Sequence, residues 1–297
     1  MDSPTPAAVK CPPVSILIPA YNEAACIQET IDSVRKIMDE TCIPYEIIVI
    51  NDGSADETAE RAGAAGVTVL NHPANGGYGL SLKTGIRRAK YDWCAIIDAD
   101  ATYPVKQLPE LLSYIPDFDM VVGARTGKFY QGSRWKQLGR TLLSLGVDYV
   151  VGQHIPDVNS GMRVFRKEIA LAHARRISAG FSFTTTITLA MFLEHHFVRY
   201  VPIEYYPRIG KSKVKMGKDA LRMMQIVSSA FLYYNPLKLF LFLCFLTAFA
   251  GLIFAVILAL VASIQAGLEV LALFAVATLL IGALGFLAEA MRLNRHE

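Results

Sequence analysis

The sequence predicts an α/β domain on a mostly parallel sheet, followed by juxtamembrane helices and a two-helix transmembrane hairpin. Three observations predict it. Short apolar runs alternate four times with segments of helical period in the first hundred residues, the pattern of parallel strands joined by crossover helices. Each run ends in polar or glycine residues, so the loops at one sheet edge form a single site. Two long uncharged stretches, 239–264 and 270–288, follow near the end of the chain.

Residues 1–12 are proline-rich and read as a loose tail. Val14 to Ile18 is the first strand, closed by Pro19. Ala20-Tyr21-Asn22-Glu23 turns into a helix over 24–38, apolar at Ile27, Ile31, Val34 and Ile37. Tyr45 to Ile50 is a second buried strand, ending in the turn and helix cap Asn51-Asp52-Gly53-Ser54. A helix to residue 65 and a strand at 67–70 come next. The glycine-rich loop Asn75-Gly76-Gly77-Tyr78-Gly79 opens a helix to residue 89. The apolar run Cys94-Ala95-Ile96-Ile97 is the central strand. Beyond it the pattern gives a helix at 105–114, a strand at 120–123, a basic loop at 125–135, a helix at 136–151, and short strands at 162–165 and 198–203.

The globular domain is thus expected at 13–210 and a surface-lying amphipathic helix region at 211–235. A hairpin at 236–291 and a short tail at 292–297 complete the chain. Residues 239–264 carry no charge in 26 residues, about 39 Å of helix, enough to cross a core of about 30 Å with tilt. The polar break at 265–269 separates them from a second uncharged stretch of 19 residues. Lys238 and the basic run before it flank one end; Arg292 and Arg295 flank the other. The positive-inside bias therefore predicts an integral membrane protein with two spans, its globular domain and both termini cytoplasmic. Gly251, Gly282 and Gly285 are candidate helix contacts for a homo-oligomer.

The hydrophobic fraction of 53% and mean hydropathy of +0.35 come from the region after Asn235. Net charge is only +3, but the bases are clustered. Residues 125–140 hold five Lys/Arg and no acid; 208–222 hold six with Asp219. Basic clusters beside a membrane attract anionic lipid or phosphate, and nucleic acid is not expected as a partner. Five cysteines without CxxC spacing argue against a disulfide framework or a cysteine zinc site. No apolar leader is seen in the first residues. His72, His154, His195 and His196 show no metal-ligand spacing and read as structural or surface residues. Glu194-His195-His196 reads as a polar helix end, and Thr184-Thr185-Thr186 as either packing or ligand-facing.

Asp98 and Asp100 sit where an open α/β sheet binds ligands, beyond the carboxyl end of a strand. Two clustered carboxylates repel unless a cation lies between them. A hard cation, Mg²⁺ or Mn²⁺, is the natural occupant, and it brings a phosphate-bearing substrate.

Four motifs, Ile16 to Glu23, Asn51 to Asp56, Asn75 to Gly79 and Asp98 to Asp100, together resemble family-2 glycosyltransferases of the GT-A (Rossmann-like) fold. Gly123-Ala124-Arg125, Arg140 with Ser144, Asn159-Ser160-Gly161-Met162-Arg163 and Arg208 to Lys213 resemble the polyprenyl-phosphate branch of that family. The resemblance implies transfer of a hexose from a nucleotide sugar to a polyprenyl phosphate; because such an acceptor is already ionised at neutral pH, direct displacement with inversion is expected. UDP-glucose is the preferred donor and GDP-mannose the runner-up. Another lipid acceptor, or a non-catalytic nucleotide-binding scaffold, are the competing readings. It further implies that Pro19, Tyr21 and Glu23 line the nucleotide pocket and that Asp52 binds base or ribose. Gly79 stands in a loop that is either a donor contact or merely flexible. Asp98 and Asp100 would hold the metal, with Thr102 in a position where this branch commonly has glutamine. Arg125, Arg140 and Ser144 would grip the acceptor phosphate, and Arg208 and Lys213 would close over the donor. Apart from the resemblance, Asp157, just before Asn159, either orients the acceptor or takes a proton, or only caps its loop. Gln131 to Trp135 also fits a QxxRW pattern, but 31 residues after Asp100 is too close for that motif's role.

Overall fold

The computed structural model describes residues 11–127, 134–173, 183–207, 225, 228–229 and 231–294, without the side chains at 134–136, 138–140 and 142–143. The chain divides into two compact units, Met1–Met223 and Met224–Glu297. Most of the expected tail and of the 211–235 region lies outside the described residues; of the latter, 225, 228–229 and 231–234 are helical.

The first unit begins with β1 (Val14–Ala20), α1 (Ile27–Asp39), β2 (Tyr45–Asn51), α2 (Thr58–Ala64), β3 (Thr68–Asn71), α3 (Tyr78–Arg88) and β4 (Trp93–Ile96). A short 3₁₀ turn (Val105–Gln107), α4 (Leu108–Leu112), β5 (Met120–Thr126), α5 (Arg134–Val151), β6 (Arg163–Arg166), α6 (Lys167–Ala172), α7 (Phe183–Leu193) and β7 (Val198–Glu204) follow. The seven strands form one sheet in the order β3-β2-β1-β4-β6-β5-β7. β6 runs antiparallel to both β4 and β5, and the other pairings are parallel.

β1, β4 and most of β2 and β5 are buried on both faces, which is why they read as continuous apolar runs, whereas the edge strands β3 and β7 are partly exposed. Val14, Ile16 and Ile18 of β1 join Ile27, Ile31, Val34 and Met38 of α1 in one core. Leu17, pointing the other way, joins Leu82 and Ile86 of α3 and Phe183, Ile187 and Met191 of α7 in a second. Alternation of side chains along each strand divides one apolar run between two cores.

Pro19 does not close β1, as its sequence position predicts; it lies inside the strand and pairs with Ile50. The Leu17 carbonyl accepts from Ile97 N–H, so Leu17 and Pro19 turn the same backbone edge toward β4. That strand ends at Ile96, and the donor proline lacks has no ladder to serve there. α1 starts at Ile27, later than expected, because Asn22, Glu23 and Ala24 give their N–H groups to Ser54, Thr58 and Asp56 on the loop after β2. Helix α6 was not expected from the sequence, and of α7 only its polar end at Glu194-His195-His196 was.

The second unit holds α8 (Pro236–Val261) and α9 (Ile264–Leu293), both long and apolar enough to cross a membrane. Pro236 starts α8, with Asn235 capping Lys238 N–H at 3.1 Å, since proline is tolerated at the first helical position. The expected polar break at 265–269 is helical: Gln265 and Glu269 are one turn apart on α9 and hydrogen-bonded at 3.3 Å. The turn sits at Ala262 and Ser263 instead, where Ser263 Oγ caps Ala266 N–H. Two of the three glycines named as candidate contacts with another chain, Gly251 and Gly285, pack tightly within the hairpin, whereas a Cβ on Gly282 would meet only Cys244 Sγ at 3.6 Å. A Cβ on Gly251 would lie 2.4 Å from Phe274 Cβ, and one on Gly285 2.5 Å from Phe240 Cβ. They let α8 and α9 approach closely.

Candidate active site

The chain leaves β1 for β2 and β3 on one side, then returns to place β4 on the other. Such a reversal opens a crevice beyond the carboxyl ends of the two strands. Four loops border it: 20–26 after β1, 51–57 after β2, 72–77 before α3, and 97–104 after β4.

The first two loops interlock. Asn22, at φ +51°, accepts Ala55 N–H through its side chain at 2.8 Å, and Asn tolerates this left-handed turn. Asn51 joins Asn71 at 2.8 Å, tying the ends of β2 and β3. Tyr21 and Glu23 are half-buried; Pro19 is buried.

Asp52 is buried, and its carboxylate accepts from Gly76 N–H at 2.9 Å, Gly77 N–H at 2.7 Å and the His72 ring at 2.7 Å. His72 in turn meets Thr84 Oγ1 at 3.0 Å. Asp52 therefore anchors the glycine-rich loop, and Gly79 is buried in α3 just behind it. Burial pushes the Asp52 carboxyl up, but the His72 and glycine hydrogen bonds outweigh it and hold it below the ordinary range. A depressed carboxyl stabilises the fold above its unfolded value of about 3.9, and this contribution is lost as pH falls through the folded value. Asp52→Asn should therefore be less stable than wild type at pH 7, with the gap narrowing below about pH 4; denaturant melts across pH would test this.

Asp98 accepts from Tyr78 Oη–H at 2.8 Å. Burial, together with the Asp98 charge, holds the Tyr78 phenol well above its ordinary value, so it stays a donor. Asp100 is buried and its Oδ1 accepts from Thr102 Oγ1 at 2.6 Å and Thr102 N–H at 3.2 Å. Ala101, at φ +57°, bends the chain to allow this. Thr102, expected as a third metal ligand, is fully buried with its hydroxyl directed to Asp100.

A fifth loop, 157–161, arrives from across the sheet. It precedes β6, and because β6 is antiparallel its start lies beside the end of β4. Gly161 packs against Asp98: a Cβ there would be 2.5 Å from Asp98 Oδ2. Tyr103 Oη accepts Gly161 N–H at 2.7 Å and fixes this approach. Gly161→Ala must displace Asp98, and a misplacement of about 1 Å costs about a hundredfold in rate; a kcat within threefold of wild type would contradict the geometry.

Arg125, near the end of β5, pairs with buried Asp157 through Nε at 2.7 Å and Nη2 at 2.9 Å. Asp157 also accepts the backbone N–H groups of Arg125 and Asn159, each at 3.1 Å. The Arg125 guanidinium lies 5.5 Å from the Tyr205 ring, which meets Tyr103 edge-on. Beneath the loop, fully buried Arg163 donates to Ser160 O, to Thr184 O at 3.1 Å and to Thr188 Oγ1 at 3.1 Å. Burial lowers the Arg163 pKa. Thr185 Oγ1 donates to Asn159, so Thr184 and Thr185 of α7, both buried, support the loop. Ser144 is half-buried in α5, while the Arg140 side chain, Arg208 and Lys213 lie outside the described residues.

The site thus links Asp98 to Arg125 and Asp157 through Gly161, Tyr103 and Tyr205, with Asp100 held beside them by Thr102. Tyr78, Tyr103 and Arg163 were given no role by the sequence reading. Tyr78 and Tyr103 lay in view, inside the glycine-rich loop and just past the second aspartate.

The family profile of glycosyl transferase family 2 matches residues 15–172, from β1 to the end of α6. The chain belongs to this family. Among its curated relatives, the low-salt glycan biosynthesis hexosyltransferase Agl6 of Haloferax volcanii is 30% identical over 76% of this chain and 56% of its own length. This chain therefore spans little more than half of that relative. A dolichyl-phosphate hexose transferase of the same organism is 27% identical over 68% of this chain and 86% of its own. An undecaprenyl-phosphate 4-deoxy-4-formamido-L-arabinose transferase of Yersinia enterocolitica is 27% identical over 91% and 84%. Glucosyl-3-phosphoglycerate synthase of Mycobacterium tuberculosis, solved with Mn²⁺ and uridine diphosphate, superposes with a TM-score of 0.61 at 20% identity, covering 74% of this glycosyltransferase and 80% of that chain. This likeness establishes the GT-A-like fold.

Proposed function

We propose that this family-2 glycosyltransferase moves a hexose from a nucleotide sugar to a polyprenyl phosphate at the membrane. The observation that carries the reading is the placement of two unlike charge sets at one sheet edge. Paired aspartates end β4, and Arg125 is held at the end of β5. The first set suits a metal-bound diphosphate, the second a phosphate acceptor. The dolichyl- and undecaprenyl-phosphate names of two relatives and the two apolar helices support a lipid acceptor.

The carboxylates of Asp98 and Asp100 form an all-oxygen donor set that fits Mg²⁺ or Mn²⁺. Such an ion, when bound, offsets charge on the leaving diphosphate. Thr102 and Tyr78 hold the two carboxylates in place by donating to them. Pro19, Tyr21 and Glu23 border the nucleotide, while Asp52 shapes the glycine-rich loop beside it. Asp157 takes the Nε–Nη2 edge of Arg125; the acceptor phosphate would meet the Nη1–Nη2 edge, with Arg140 and Ser144 of α5 alongside. Arg208 and Lys213 would approach the donor.

An acceptor phosphomonoester, with a second pKa of about 6, is already ionised at neutral pH and needs no strong base. Asp157, with both oxygens engaged by Arg125, serves to position that arginine. Direct attack then inverts the anomeric centre, so an α-linked donor yields a β-linked product. UDP-glucose is the preferred donor and GDP-mannose the second, with the domain and both termini on the cytoplasmic side.

The test is transfer by purified protein in lipid with Mn²⁺ and a short polyprenyl phosphate. UDP-glucose, GDP-mannose and UDP-N-acetylglucosamine are offered in parallel. Sugar-lipid with a β-linkage from one donor is the expected result. An α-linked product, or transfer to diacylglycerol in preference to polyprenyl phosphate, would reject the proposal.

A further inference from the structure

The sheet edge opposite the crevice carries a second cluster of metal-ligating side chains. α6 ends at Ala172, and His173 caps it, its N–H bonded to Ile169 O at 3.2 Å. α7 ends at Leu193. His195 N–H then reaches Phe192 O, and His196 N–H reaches back to Met191 O at 2.9 Å. This paired closure is a Schellman motif, with His195 in the left-handed position at φ +62°. Glycine is usual there. The turn sends exposed His195 outward and brings Glu194 and His196 to one side, against His173.

Ligand atoms of His173, Glu194 and His196 all lie within 4.8 Å of one another. His173 Nε2 is 2.9 Å from Glu194 Oε2, and His173 is buried while the other two are partly exposed. Asp119, at the start of β5, lies 3.7 Å from the His196 ring. Two imidazoles and one carboxylate make a nitrogen-rich set. A structural zinc site takes four such ligands, at about 2.0–2.2 Å for nitrogen and oxygen; these three residues supply three, and Asp119 beside His196 can supply the fourth. Small side-chain rotations bring these donors to that spacing. Imidazole ligands also exclude Mg²⁺ as the natural occupant, in contrast to the all-oxygen pair at Asp98 and Asp100.

We propose that His173, Glu194 and His196 bind a transition metal ion of the zinc class. The ion is structural and separate from glycosyl transfer. It joins the end of α6 to the end of α7, across residues 174–182. α7 is the helix whose other end holds Asn159 and Arg163 beneath the active-site loop, so the ion stiffens that support.

The experiment uses the full chain in lipid nanodiscs, stripped with EDTA and then dialysed against Zn²⁺ with excess Mg²⁺. Bound zinc is measured by mass spectrometry and unfolding by a thermal melt. About one zinc per chain is expected, with a raised melting temperature. Co²⁺ in its place should give the absorption bands of a tetrahedral site. His196→Gln and Glu194→Gln, both at partly exposed positions, should each weaken zinc binding about tenfold or more. Their metal-free melting temperatures show whether they fold. The Asp98→Asn/Asp100→Asn double variant should keep its zinc. Zinc absent from the wild type, zinc unchanged in His196→Gln, or zinc lost in the aspartate variant would each overturn the proposal.

Discussion

Asp100→Asn is expected to lower kcat about a thousandfold, the several kcal/mol that a bound metal contributes at about 1.4 kcal/mol per factor of ten. Asparagine keeps the shape and can still accept from Thr102, whose Oγ1 is 2.6 Å from Asp100 Oδ1. What it lacks is the charge that a hard cation requires. The fold should not suffer. In chelator, two neighbouring carboxylates repel each other, so the variant should melt at or above the wild-type temperature. The checks are a rate measurement with saturating Mn²⁺ and a thermal melt in EDTA. A variant that retains a tenth of wild-type activity would remove Asp100 from the metal site. One that is inactive only because it melts early would show the residue to be structural.

Arg125→Lys and Asp157→Ala separate grip from positioning. Lysine keeps the charge but loses the two-pronged fork that meets both oxygens of Asp157. Its expected signature is a rise in acceptor KM of about a hundredfold, the scale of one removed charge-stabilising donor, with donor KM unchanged. Asp157→Ala leaves Arg125 beside Tyr205 without its buried partner, which costs about 3 kcal/mol of stability. A urea melt reads that loss. The Arg125→Ala/Asp157→Ala double variant should recover part of it, because no uncompensated charge is then left, and the coupling falls at about 1–3 kcal/mol. If Asp157 were instead a general base, Asp157→Asn would flatten the pH profile of kcat. Under the present reading it shifts acceptor KM and leaves that profile unchanged. Equal effects of Arg125→Lys on donor and acceptor KM would take Arg125 out of the acceptor site.

Local pattern was enough to predict much of this protein. The apolar runs at β1, β2 and β4 gave the sheet its strands, because burial on both faces leaves a continuous signature. Asp98 and Asp100 could be placed at a strand end for the same reason. The hairpin followed from hydropathy and length, although its turn moved to Ser263, since Gln265 and Glu269 are as content on a helix as in a loop. Family spacing named Arg125, and Asp157 stood out only by its place before Asn159, with no sign that they were partners.

The tertiary structure decided what depends on pairing between distant segments. β6 runs against its neighbours, and that reversal alone brings Gly161 onto Asp98 and Asp157 onto Arg125. In a parallel strand the same loop would stand at the opposite edge. Asp52 took on a loop-anchoring role because Gly76 and Gly77 fold back over β2. His173 and His196 became neighbours only because two helices end at one place. A sequence records which side chains can bury, bond or bind, and those tendencies act over a few residues. Strand direction and loop meeting points are set by the whole sheet, where hydrogen-bond register joins residues dozens of positions apart.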